Sequence, residues 1–171
     1  LNGSGGGLYT SAAVTLTQVT FSINAADGVS GDRRGGSARS TTGGSTALVS
    51  GIIVFVRKII GRGFNSPIKD HDPTAHAEIL ALREGAAAIG NYRLLQSTLY
   101  VTLEPCIMCA GAMVHARIKE LVFGAKDPKA GALVSQASVF SLPFLNHQVS
   151  VTGGVMAAEC GAILSNFFRA K

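Results

Sequence analysis

The stretch Thr98-Leu-Tyr-Val-Thr-Leu-Glu-Pro-Cys-Ile-Met-Cys-Ala-Gly-Ala-Met113 decides the fold. Its first half belongs to a β-branched, apolar run that predicts a strand over Ser97–Leu103. Pro105 then opens a helix through about Ala116, because proline tolerates the first helical turn and no later position. Glu120–Gly124 reads as the next strand. Upstream, Asp72-Pro73 predicts a helix start, with Asp72 as N-cap, and the helix runs through Ala75–Ala88 to stop near Gly90. Before it, Ala47–Arg57 reads as a buried strand, and Lys58–Gly61 begins a second after a short turn. Downstream, Val134–Phe140 reads as a short helix, Val149–Thr152 as a last short strand and Val155–Arg169 as a closing amphipathic helix. Strands alternating with helices predict an α/β domain over residues 47–171, helices packed on a sheet.

The whole chain has 171 residues, 47% of them hydrophobic and 15% charged, with a mean hydropathy of +0.33. That is one domain with a sizeable core, and too little for two. The charged share lies below the usual value of about 25%, which excludes a charged disordered tail. The longest apolar run is Leu48–Val56, far short of the roughly 20 residues a spanning helix needs, so no membrane partner is expected. No basic start leads into an apolar stretch at the N-terminus, so the sequence predicts no signal peptide and a cytoplasmic location. Residues 1–46 are atypical, being rich in Gly, Ser and Thr. Within them 12–26 fits a helix or a strand, and 27–46 has the composition of a loop. The net charge of +5 suits a nucleic-acid partner, and a mildly basic solvated surface equally.

Three cysteines make no disulfide framework. Cys106 and Cys109 sit at a predicted helix start, where the positive helix end and its free N–H groups favour thiolates and metal binding. A C-x-x-C pair also fits a thiol redox motif, but His76-Ala77-Glu78 lies thirty residues upstream on another helix start. His76, Cys106 and Cys109 make three metal ligands with no fourth at a suggestive spacing, which predicts one zinc ion per chain with water in the fourth position. Glu78, two residues from a ligand and not needed as one, is the candidate catalytic proton carrier. Cys160 reads as a buried apolar residue of the last helix, and Glu104 as a structural hydrogen-bonding residue beside the metal helix.

The pairing of H-x-E with P-C-x-x-C is the signature of zinc nucleobase deaminases. From about Ile59 onward the chain resembles the bacterial tRNA-specific adenosine deaminases, which make inosine at the wobble position of an anticodon. The resemblance rests on Gly61–Asn65, His71-Asp-Pro-Thr-Ala-His-Ala-Glu-Ile79, Asn91–Leu94, Thr98–Met113, Asn146-His147 and Leu164–Arg169. It implies a three-layer cytidine-deaminase-like α/β domain, a central mixed sheet with helices on both faces. It also implies a tRNA anticodon loop as partner, no DNA, and a homodimer using the helix after the cysteines.

By that resemblance Asn65 bonds the purine edge, and the backbone around Ala77 helps seat the base. Asp127 and Lys129 touch the anticodon backbone, and Phe167, Phe168 and Arg169 flank the extruded base. Read without it, Asn65 is equally a turn residue before Ser66-Pro67, Asp127 and Lys129 are solvated loop charges, and one of the two Phe anchors the last helix. The chain departs from the family upstream: a charged helix is missing, Thr46–Val56 replaces a Val-Pro-Val-Gly-Ala strand, and the polar turn before Lys58 is absent. Val134 also stands where a small residue is expected in the substrate loop. Two other functions remain open on the residues: deamination of a free base or nucleoside such as guanine, cytosine or cytidine, and an inactive zinc-stabilised RNA-binding module.

Overall fold

The computed structural model describes Ser50–Arg169. The expected Gly/Ser/Thr-rich segment 1–46, its 12–26 element and residues 47–49 lie outside the described residues. Strand β1 (Ser50–Phe55) turns into β2 (Lys58–Phe64), a short helix α1 (Pro67–Asp70) follows, then helix α2 (Ala77–Ile89) and strand β3 (Thr98–Leu103). Helix α3 (Ile107–Ala116) connects β3 to β4 (Glu120–Ala125). A 3₁₀ turn (Val139–Ser141), strand β5 (Ser150–Gly153) and helix α4 (Ala157–Arg169) complete it.

The strands form one mixed sheet in the order β2-β1-β3-β4-β5. β1 is antiparallel to β2 and β3, while β3, β4 and β5 run parallel. Parallel neighbours need a crossover, and α3 supplies the first. Leu99, Val101, Leu121 and Phe123 alternate onto one sheet face, where they join Ile79, Leu82, Cys109 and Met113 of α2 and α3 in the main core. Gly124 faces the other way, and there a Cβ would stand 2.8 Å from the Cβ of Cys160 on α4. Helices therefore cover both faces, as the three-layer expectation requires.

Glycine decides how near α2 comes to the sheet. A Cβ on Gly63 would collide with the carbonyl oxygen of Ala77 and stand 2.6 Å from the amide nitrogen of Ala81. A Cβ on Gly61 would stand 2.6 Å from the nitrogen of Gly85. These two positions of β2 carry no side chain because helix backbone occupies that space, and the first turn of α2 is pinned as a result.

Two local expectations need correction. Asp72 does not cap α2. Its carboxylate accepts from the Thr74 N–H (2.7 Å) and its carbonyl from the Ala75 N–H (3.1 Å), closing a separate turn. The chain stays extended at His76 (ψ 151°), which is the true N-cap. Residues 134–140 likewise form no helix beyond the Val139–Ser141 turn, because the amides of Leu133, Val134 and Ser135 are drawn to a side chain instead.

The β1–β2 turn is strained. Val56 and Arg57 both have positive φ (46° and 62°), as a two-residue type I′ hairpin turn requires. A β-branched residue is a poor occupant there. Replacing the pair by Asn-Gly is expected to raise stability by about 1–2 kcal/mol, read as a higher denaturation midpoint with an unchanged denaturant slope.

Candidate active site

Three stretches of chain meet at the carboxyl ends of β3 and β4, where open α/β sheets place their ligands. β3 ends at Leu103, the Glu104 N–H donates to the Ala125 carbonyl across to β4 (2.8 Å), and Pro105 and the extended Cys106 lead into α3. Cys106 is the N-cap of α3, and Cys109 lies in its first turn. From the other side His76 caps α2. Both helices thus present their positive ends to one point.

At that point the Nδ1 of His76 lies 3.7 Å from the Sγ of Cys106 and 3.6 Å from the Sγ of Cys109. All three donor atoms lie within 4.8 Å of one another. A tetrahedral zinc about 2.0 Å from nitrogen and 2.3 Å from sulfur separates those atoms by about 3.6 Å. One imidazole and two thiols at this spacing fit zinc. Among the described residues this is the one such His/Cys/Asp/Glu group.

The two thiols are electrostatically coupled and shift in opposite directions. Cys106 is drawn down to about 5, first by the hydrogen bond from the Cys109 thiol and then, against burial, by the Cys109 and Met108 amides and the His76 ring. Cys109, which gives that bond and is buried, is pushed up. Placing both sulfurs on one cation releases the Cys109 proton. The carboxyl of Glu78, only 4% exposed, is pushed up chiefly by burial and further by the Cys106 charge, while its own amide, His76 and Cys109 oppose the shift. A carboxyl raised this way holds a proton more readily than an exposed one, as a group that takes and returns protons must.

Ala77 is fully buried in the first turn of α2. Asn65 follows β2 and is exposed, and the next residue's N–H, of Ser66, donates to the carbonyl of Ala75, the residue before His76 (3.0 Å). Asp127 and Lys129 lie on the loop after β4. The Asp127 carboxylate accepts from the N–H groups of Lys129 (2.9 Å) and Ala130 (3.3 Å), so it caps its own turn. Phe167 and Phe168 fall in the last turn of α4 and the exposed Arg169 ends it. Among the described residues, no hydrogen bond joins Arg169 to the triad.

Glu104 holds more of the site together than its sequence position suggests. Its carboxylate, 2% exposed, accepts from the N–H groups of Leu133 (3.1 Å), Val134 (2.7 Å), Ser135 (3.0 Å) and Asp127 (3.2 Å), and from the Ser135 hydroxyl. Burial alone would raise its pKa, but the Ser135 hydroxyl and these amides outweigh it and hold the group at about 2. No spacing in the sequence announced the partners, because most of them are backbone groups. Half-exposed Val134, where a small residue was expected, fits because its role here is carried by its amide.

The family model for MafB19-like deaminases matches residues 36–171. The chain is 60% identical over 115 residues to the tRNA-specific adenosine deaminase of Haemophilus influenzae, covering 67% of this chain and 66% of that protein. It is 51% identical over 123 residues to the protein of that name from Buchnera aphidicola subsp. Baizongia pistaciae, covering 72% and 76%. The chain belongs to the deaminase family of these proteins. Among solved structures, a tRNA:A34 deaminase studied for A-to-I editing at the wobble position superposes with a TM-score of 0.65 at 42% identity, over 67% of this chain and 83% of the other. The mixed sheet and flanking helices of this deaminase are thus those of the cytidine-deaminase-like fold. No helix among the described residues is long and apolar enough to cross a membrane.

Proposed function

We propose that this deaminase hydrolyses adenosine to inosine at the wobble position of a tRNA anticodon, releasing ammonia. The observation that carries the reading is the buried Glu78 carboxyl beside a His76–Cys106–Cys109 donor set of zinc dimensions, in a chain 60% identical to a tRNA-specific adenosine deaminase. His76, Cys106 and Cys109 would hold the metal. Zinc supplies Lewis acidity that makes water a nucleophile at neutral pH.

The chain's own residues do the rest. Glu78 takes a proton from the attacking water, passes it to the purine ring nitrogen, and delivers a proton to the departing amine. The adenine must leave the stack of the anticodon loop to reach this depth. Asn65 meets its edge with an amide that both donates and accepts, and the backbone at Ala77 forms the floor. Lys129 and the turn capped by Asp127 face the RNA backbone, and Phe167, Phe168 and Arg169 flank the flipped base. The working unit is a homodimer in the cytoplasm, with the helix after the cysteines in the contact.

Ammonia release on an anticodon stem-loop with a wobble adenosine, beside free adenosine, guanine and cytidine, tests the substrate. Turnover is expected on the stem-loop and is expected to stop when a chelator strips the metal. Turnover of a free base with none on the stem-loop overturns the reading. Zinc bound with no turnover of any substrate makes the chain a binding module.

A further inference from the structure

Resting on the deaminase reading above, we propose that Glu104 is a positioning residue for the RNA. Its carboxylate clamps the 126–135 loop onto the junction that carries Cys106, and so sets where Lys129 and the Asp127 turn meet the anticodon backbone.

Residues 126–135 contain no helix or strand, so their order must come from somewhere else. Asp127 closes its own turn within the loop, and what ties the loop to the Cys106 junction is one side chain and one carbonyl. The amides of Asp127, Leu133, Val134 and Ser135 and the Ser135 hydroxyl all converge on the Glu104 carboxylate, and the Ala132 N–H donates to the Pro105 carbonyl (3.0 Å). The two ends of the loop are thereby tied to the residues immediately before Cys106. Gly131 is the permissive residue: a Cβ there would stand 2.5 Å from Glu104 Oε2 and 2.7 Å from the Asp127 carbonyl oxygen.

A carboxylate offers about four lone-pair sites, and five donors saturate it. Glu104 has no acceptor capacity left for a substrate proton, so it does not share the work of Glu78. It acts through the loop. Its amide partner Asp127 in turn orders the Lys129 and Ala130 backbone through its carboxylate, which links Glu104 to the Lys129 main chain through one residue.

Glu104→Gln keeps the shape but turns one acceptor oxygen into a donor facing N–H groups. The KM for the stem-loop is expected to rise about tenfold, the size of one lost hydrogen bond to a charged group, with kcat held within about threefold and zinc content unchanged. Ser135→Ala, which removes a single donor and leaves four, is expected to raise KM by about two- to threefold and guards against a Gln variant that fails to fold. Lys129→Ala should cost less in the Glu104→Gln background than alone, since both act on one contact. A fall in kcat with loss of zinc at steady KM would show that Glu104 merely braces the metal junction, and overturns the inference. So does an unchanged KM in both variants while the unaltered protein converts the stem-loop. An unaltered protein inactive on the stem-loop overturns the functional reading, and the inference with it.

Discussion

Glu78→Gln is expected to lower kcat on the wobble-adenosine stem-loop by roughly 10² to 10⁴ while zinc content and fold persist. Glutamine matches the carboxyl in size, so the packing around this buried position survives. What disappears is the group proposed to take a proton from water and return it to the ring and the leaving amine. The ligand atoms on His76, Cys106 and Cys109 are untouched, so metal analysis should give the same stoichiometry as the unaltered chain. Glu78→Ala should behave likewise and abolish turnover. Zinc lost together with activity in both variants would mean that Glu78 helps hold the metal, and the assignment of roles would fall.

Gly63→Ala is expected to cost about 3 kcal/mol or more and to remove most of the activity that remains in the folded fraction. The added methyl has no free volume to enter, because the Ala77 carbonyl and the Ala81 nitrogen already occupy it. These are backbone atoms of the first turns of α2 and cannot swing aside as a side chain would. Relief requires α2 to retreat from β2, and α2 carries His76 at its cap and Glu78 in its first turn. A displacement of about an ångström there is enough to lower the rate by about 10². Chemical denaturation gives the stability change, and single-turnover rates at saturating protein give the loss of chemistry. An alanine variant as stable and as active as the parent would show that the approach of α2 to the sheet is not what sets the site.

The grouping of His76, Cys106 and Cys109, with Glu78 beside it, was legible because side-chain types recur there at fixed spacing. Cys106 and Cys109 also follow a proline that leads into their helix. The strands were legible from β-branched runs, with ends among the described residues displaced by at most three residues. Asp72 misled because an Asp-Pro pair caps a tight turn as readily as a helix, and only the extended His76 shows which it does here. The helix over 134–140 failed for a different reason. Apolar content suggested packing, but the competing partner for its amides was a carboxylate some thirty residues away. Long-range hydrogen bonds to backbone leave no trace in local sequence, and the same holds for the glycines whose missing side chains admit α2.

Position-resolved detection of inosine in a full-length tRNA bearing a wobble adenosine, after incubation with the purified zinc-loaded chain, separates anticodon editing from deamination of free bases. Inosine at the wobble position and at no other adenosine, absent with Glu78→Gln, is the predicted result. No inosine in the tRNA under conditions where a free base or nucleoside is deaminated would contradict it.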